Sequence, residues 1–216
     1  MTETVAGVLM AGGQSRRMGG GDKCLRDLAG KPILTHAIDC IRPQVGPLVL
    51  NANGDPARFS AFGLPVVADA VGDFAGPLAG VLTGLEWAAE HAPNCAWLAS
   101  FATDAPFLPD DLVARLLAAV EAEGAEMACA ASDGRNHPVF GLWPLRLRHD
   151  LRRAMVEDDI RKVDIWTARF KLARVAFPLR QTPAGPLDPF FNANRPEDLT
   201  EAERLARALG GRPQAS

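Results

Sequence analysis

Short apolar runs rich in valine, leucine and alanine alternate along this chain with longer segments of helical period, and that alternation restricts the fold more than any other feature. A run that is apolar throughout, rather than at every second residue, belongs to a strand covered on both faces, and strands separated by helices pair in parallel. The pattern predicts an α/β chain whose mostly parallel sheet is flanked by helices on both faces, in three α/β/α layers. Strands are expected over residues 5–10, 47–50, 64–68, 96–102, 126–130, 136–143 and 172–179. Helices are expected from Pro32, where Ile33, Leu34, Ala37, Ile38 and Ile41 share a side, from Pro77 to about 90, and from the Pro109–Asp111 start to about 123. Residues 144–170 also read as helical, as do 196–209, with Gly210 and Gly211 as the stop.

The 216 residues are enough for one sizeable core, so a single domain over 1–216 is expected. A net charge of -3 argues against a nucleic-acid partner, which calls for a basic surplus on one face. Cys24, Cys40, Cys95 and Cys129 are scattered without a C-x-x-C pair, and no histidines stand at metal-finger spacing, which points away from zinc and disulfides and towards a reducing compartment. The first residues carry Glu3 where a signal peptide needs basic side chains, and their apolar run is far shorter than the ~18 to 20 residues of a membrane span. The expectation is a cytoplasmic protein with neither membrane nor nucleic acid among its partners.

The stretch after the first predicted strand, LMAGGQSRRMGGGDK over residues 9–23, concentrates glycines at 12, 13, 19, 20 and 21 where an open α/β sheet binds its ligands. Glycine lets the main chain turn sharply and bring N–H groups against an anion. Arg16, Arg17 and Lys23 stand against the single Asp22, three cations to one carboxylate, so an acidic chain has a local charge of +2 here. The alternative is a solvated glycine turn, but position and charge together favour phosphate binding. Neither G-x-x-x-x-G-K-[ST] nor G-x-G-x-x-G is present, which disfavours a P-loop machine and a dehydrogenase.

Other strand ends also carry polar groups. Asp104 follows the apolar run AWLASFAT, where it either makes a turn before Ala105-Pro106 or presents a carboxylate to a divalent ion. Asp69, Asn51 and Asn53 divide between turn residues and ligand contacts in the same way, as do Asn192 and Asn194 before the last helix. Gly76, Gly80 and Gly84 recur every four residues on one helix face, where close packing on the sheet is favoured over ligand contact. His36, His91 and His149 read as helix-surface or loop residues.

The pattern L-x-A-G-G-x-S-x-R-M-G-x-x-D-K, with Gly30-Lys31-Pro32 after it, resembles the nucleotidyltransferases of the molybdenum cofactor guanylyltransferase type. The similarity continues in the family's order through VLNAN, VVAD, GPLAG, TDAPFLP, NHPVFGLW and FFNANRPEDL, and so spans nearly the whole chain. The first motif alone says only nucleotidyltransferase. The Gly12-Gly13 pair and the late Asn-x-Asn-x-Pro-Glu-Asp-Leu favour the guanylyl branch. Two departures are Thr103-Asp104-Ala105-Pro106, where the family commonly has Cys-Asp-Met-Pro, and Cys24 at a position that is often small or apolar.

The resemblance implies a Rossmann-like fold of the nucleotide-diphospho-sugar transferase type, with a nucleotide-binding half over about 1–105 and an acceptor-binding half over about 106–216. It implies GTP and molybdopterin, or the molybdenum cofactor, as substrates, Mg2+ as cofactor, and molybdoenzymes or their chaperones as recipients of the product from a monomer. Lys23, Arg17 and Asp104 would be catalytic, with Asp104 on the metal. Met10, Ala11, Gly12, Gly13, Lys23, Asn51, Asp69 and Asp104 would hold the nucleotide, and His137, Asn192 and Asn194 the acceptor. No side-chain base is needed, because a phosphate monoester with a second pKa near ~6 is already a largely dianionic nucleophile at neutral pH. Charging of a sugar phosphate, cytidylyl transfer to the same pterin, and non-catalytic cofactor binding are the alternatives.

Overall fold

The computed structural model describes residues 5–11, 22–72 and 76–210. The strands are β1 (Val5–Met10), β2 (Asp27–Leu28), β3 (Lys31–Pro32), β4 (Leu48–Asn51), β5 (Val66–Val67), β6 (Trp97–Ala102), β7 (Met127–Ser132), β8 (Arg135–Pro144), β9 (Leu172–Ala176), β10 (Arg180–Thr182) and β11 (Gly185–Leu187). The helices are α1 (Ile33–Ile41), α2 (Pro77–His91), α3 (Leu112–Glu123), α4 (Arg148–Val156), α5 (Val163–Thr167) and α6 (Pro196–Ala208). Seven strands form one sheet in the order β5-β4-β1-β6-β8-β7-β9. Every neighbouring pair is parallel except the two that involve β8, which runs against β6 and β7. The carboxyl edge of the sheet therefore gathers the ends of six strands and the beginning of β8.

Alternation along β1 divides the core. Val5 and Leu9 join the cluster under α1 and α3, while Ala6, Val8 and Met10 join the cluster under α2, α4 and α5. Helices thus cover both faces, as the apolar runs predict. A third cluster unites Leu28 and Ile33 with Phe107, Leu187, Ala193 and the buried face of α6, bringing the last helix over the hairpin of β2 and β3. Of the three glycines expected on one helix face, Gly80 and Gly84 have the expected packing cause, whereas Gly76 precedes α2 as its cap with φ 144°, where a Cβ would lie 3.5 Å from the Arg161 carbonyl oxygen. A Cβ added at Gly84 would lie 2.8 Å from the Val8 Cβ and from Leu98 Cδ2, and one at Gly80 would lie 2.6 Å from Met10 Sδ.

Two local expectations are corrected, and one segment without a predicted element gains one. Residues 144–170 are not one helix: α4 ends at Val156, Asp159 turns with φ 51°, and the Ile160 N–H reaches back to the Ala154 carbonyl before the short α5 begins. The segment between β4 and β5 holds a 3-10 helix, Pro56–Phe62, capped by the Asp55 carboxylate and anchored by buried Phe59. His36 is not a surface residue. It is buried in α1 with its Nε2 2.8 Å from the Leu28 carbonyl, which gives the ring a partner in the core.

Candidate active site

Four strand ends meet at the carboxyl edge. Met10 and Ala11 close β1, and the Ala11 N–H donates to the Asn51 carbonyl at 2.9 Å. Thr103, which follows β6, donates both its N–H (3.4 Å) and its hydroxyl (3.3 Å) to the Met10 carbonyl and so fixes the next residue, Asp104, beside the start of the glycine-rich stretch. Burial raises the Asp104 carboxyl above its ordinary pKa, and the Lys23 ammonium opposes that rise. Geometry brings the two residues together through adjacent positions of one segment, Asn194 on Lys23 and Ala193 on Asp104. Lys23 opens a short 3-10 turn, Lys23–Leu25, and its Nζ donates to Asn194 Oδ1 at 3.1 Å. The Ala193 N–H donates to the Asp104 carbonyl at 3.1 Å, which holds the segment carrying Asn192 and Asn194 against the same strand end. The buried Asn192 Oδ1 has no hydrogen-bond partner among the described residues.

On the β4 and β5 side, Asn51 Nδ2 donates to Asp69 Oδ1 (2.9 Å) and Asn53 Nδ2 to Asp69 Oδ2 (2.7 Å), while the Asp69 N–H donates to Asn53 Oδ1. Both Asp69 oxygens are thereby oriented by amides. Arg58 ties this corner to Asp22 at the end of the glycine-rich stretch, since its Nε lies 2.5 Å from Asp22 Oδ2 and its Nη2 donates to the Asn53 carbonyl at 2.6 Å. On the other side of Asp104, His137 stands at the start of β8. It stacks on Phe190 with ring centroids 4.8 Å apart and has its Nε2 2.7 Å from Ser132 Oγ.

Read across the sheet, Asp69, Asn51, Met10 with Ala11, Asp104 and His137 follow one another along a single edge, and Lys23, Asn192 and Asn194 converge on its middle. Arg17, Gly12 and Gly13 lie outside the described residues. Thr103, Arg58, Ser132 and Asp188 are site-building residues that the sequence pattern does not single out. Thr103 stands inside a quoted motif, but nothing in a linear string shows that its hydroxyl reaches Met10.

The model of the MobA-like NTP transferase domain matches residues 7–170, more than half of the chain. The chain belongs to the MobA-like NTP transferase family. It is a nucleotidyltransferase, and its relatives agree on the branch. A protein of Bradyrhizobium sp. (strain ORS 278) named molybdenum cofactor guanylyltransferase is 60% identical over 205 residues, covering 95% of this chain and 94% of its own. One of Rhodopseudomonas palustris (strain BisB5) with the same name is 58% identical, covering 92% of each. Among solved structures, molybdopterin-guanine dinucleotide biosynthesis protein A of Archaeoglobus fulgidus superposes with a TM-score of 0.69 at 20% identity, over 94% of this chain and 99% of its own. A 4-diphosphocytidyl-2C-methyl-D-erythritol synthase of Anaerococcus prevotii superposes with a TM-score of 0.68 at 10% identity, over 95% and 99%. These two likenesses establish the nucleotide-diphospho-sugar transferase fold. No helix among the described residues is long and apolar enough to cross a membrane.

Proposed function

We propose that this chain transfers GMP from GTP to the terminal phosphate of molybdopterin, or of the molybdenum cofactor, forming the guanine dinucleotide and releasing pyrophosphate. The observation that carries this reading is that Lys23 and Asp104 are joined through the adjacent residues Asn194 and Ala193, at the centre of an edge with nucleotide candidates on one side and acceptor candidates on the other. An oxygen of the acceptor phosphate forms a bond to the α-phosphorus as the bond from that phosphorus to the β-phosphate's bridging oxygen breaks, and the electron pair leaves with pyrophosphate. The acceptor needs no base, and the work of the protein is alignment and charge neutralisation.

Lys23, with Arg17, holds the triphosphate and its leaving group. Backbone from Met10 and Ala11 through Gly12 and Gly13 carries the nucleotide, with Asn51 and Asp69 beside it. His137, Asn192 and Asn194 face the acceptor. The halves 1–105 and 106–216 divide these duties, and Asp104 stands at their junction. The residues fit a divalent ion: Asp104 offers a hard oxygen donor, and the orphaned Asn192 oxygen lies one residue from the N–H that binds the Asp104 carbonyl. Mg2+ held by Asp104, when bound, supplies neutralising charge to the phosphate oxygens. A manganese complex has been solved for a Mycobacterium tuberculosis neighbour of the same fold. The enzyme acts in this reading as a cytoplasmic monomer that passes its product to molybdoenzymes or their chaperones.

Purified protein incubated with each of the four nucleoside triphosphates, and with molybdopterin or a sugar phosphate as acceptor, tests the proposal. Pyrophosphate release with GTP is the expected result. Release with CTP instead makes it a cytidylyltransferase, release only with a sugar phosphate moves it to that class, and tight GTP binding without release under any acceptor makes it an accessory protein.

A further inference from the structure

Ser132, the last residue of β7, is buried, and its one hydroxyl stands between two groups. Asp188 Oδ1 lies 2.7 Å from Ser132 Oγ on one side, and His137 Nε2 lies 2.7 Å away on the other. A hydroxyl and a carboxylate at that separation need a proton between them, and the hydroxyl is its source. Having given its single proton to Asp188, Ser132 can only accept from His137, so Nε2 must carry a hydrogen. Nδ1 of the ring has no partner among the described residues.

Asp188 Oδ1 also accepts the Phe190 N–H at 2.9 Å, so the same carboxylate pins the loop that leads to Asn192 and Asn194. Phe190 stacks on the imidazole, and Phe140 meets that ring edge-on at 6.3 Å. The ring plane, its hydrogen and the loop beneath it are thus set by one small cluster. Burial lowers the His137 pKa against the pull of Asp188, with Arg135 adding to the decrease, so the surroundings favour the neutral ring.

We infer that Ser132 and Asp188 are positioning residues of the acceptor side: they lock His137 as the Nε2–H tautomer, leaving Nδ1 as a hydrogen-bond acceptor for an N–H group of a flat heterocyclic acceptor. The inference rests on the guanylyl-transfer reading for the identity of that acceptor, since a reduced pterin presents ring N–H and amino donors. An anionic group has no place on Nδ1, so the phosphate lies on the Lys23 side and the ring system on the His137 side.

Two measurements test it. Long-range 1H–15N correlation spectra of the metal-free wild-type protein near pH 7 report the tautomer of each histidine without any turnover. His137 is expected as Nε2–H, shifting to a mixed population in Ser132→Ala and returning in Ser132→Thr, which keeps the hydroxyl. An Nδ1–H ring in the wild type, or an unchanged ring in Ser132→Ala, overturns the inference. Kinetically, Ser132→Ala should raise the KM for molybdopterin by up to about tenfold, the worth of one hydrogen bond, while the KM for GTP stays within about twofold. Equal changes in both constants would make Ser132 merely structural and also overturn it. A wild-type protein with the expected tautomer that releases no pyrophosphate from GTP strikes the functional reading and leaves the tautomer lock standing.

Discussion

Replacing Gly84 by alanine tests how tightly α2 is set on the sheet. The new Cβ would lie 2.8 Å from the Cβ and Cγ1 of Val8 and from Leu98 Cδ2, all fully buried atoms. Carbon atoms relax at ~3.5–4.0 Å, so the helix or the strand must yield by roughly an ångström. Val8 Cβ is bonded directly to the backbone of the central strand and cannot swing away, which places the overpacking cost in the upper part of the usual range of about 1–3 kcal/mol. Alanine returns about 1 kcal/mol through its better helix propensity, leaving a net loss of about 1–2 kcal/mol. For a chain of this size that lowers Tm by about 2–8 °C. Gly80→Ala is the informative partner. Its Cβ meets flexible Met10 Sδ at 2.6 Å and Asn51 Oδ1 at 2.8 Å, and Asn51 in turn orients Asp69. Thermal melts and KM for GTP should therefore separate the two: Gly84→Ala loses stability with KM unchanged, and Gly80→Ala raises KM. A Gly84→Ala protein that melts at or above the wild-type temperature refutes the close-packing argument.

Asp104→Asn and Lys23→Ala should each lower turnover on the order of a hundredfold with the circular dichroism spectrum unchanged, and near-normal turnover in either would remove that residue from the chemistry. Burial pushes the Cys24 thiol up to about 11 and the Cys40 thiol up to about 12. A thiol whose folded pKa is raised above its unfolded value of 9.0 contributes stability that is complete below pH 9 and is lost as pH rises towards 11 and 12, so melts should show alkaline destabilisation in that window, less steep in Cys24→Ala. At pH 8 iodoacetamide should modify the four buried free thiols slowly in the native protein and rapidly in denaturant.

The large elements are legible in the residues because their patterns are long. β1 is apolar over its whole length, α2 and α3 carry their apolar faces through three turns or more, and the start at Pro77 and the end near 123 are ends that the structure keeps. Of the strands of two or three residues, β2, β3, β10 and β11 are too short for period-two alternation to register, while β5 lies within the apolar run expected over 64–68. His36 escaped for a related reason. One polar letter in an apolar helix reads as surface unless the carbonyl that satisfies it is known, and here that carbonyl belongs to Leu28 in a neighbouring hairpin. The candidate site was legible as a set of strand ends, because α/β topology sends every parallel strand's end to one edge. Its assembly was not. Lys23 meets Asn194 across 171 positions of sequence, and Arg58 reaches Asp22 across 36, contacts that only the packing of α6 and the 3-10 helix create.

The reversal of β8 changes what the carboxyl edge receives. Six strands deliver their last residues to this edge, but β8 delivers its first, received straight from β7 through a two-residue turn in which Asp133 and Gly134 both hold positive φ (45° and 72°). Such a hairpin tip can be lengthened or retyped without moving any helix. Editing that tip would alter the end of the edge proposed for the acceptor while leaving the ends of β1 and β4, two and three strands away, in place.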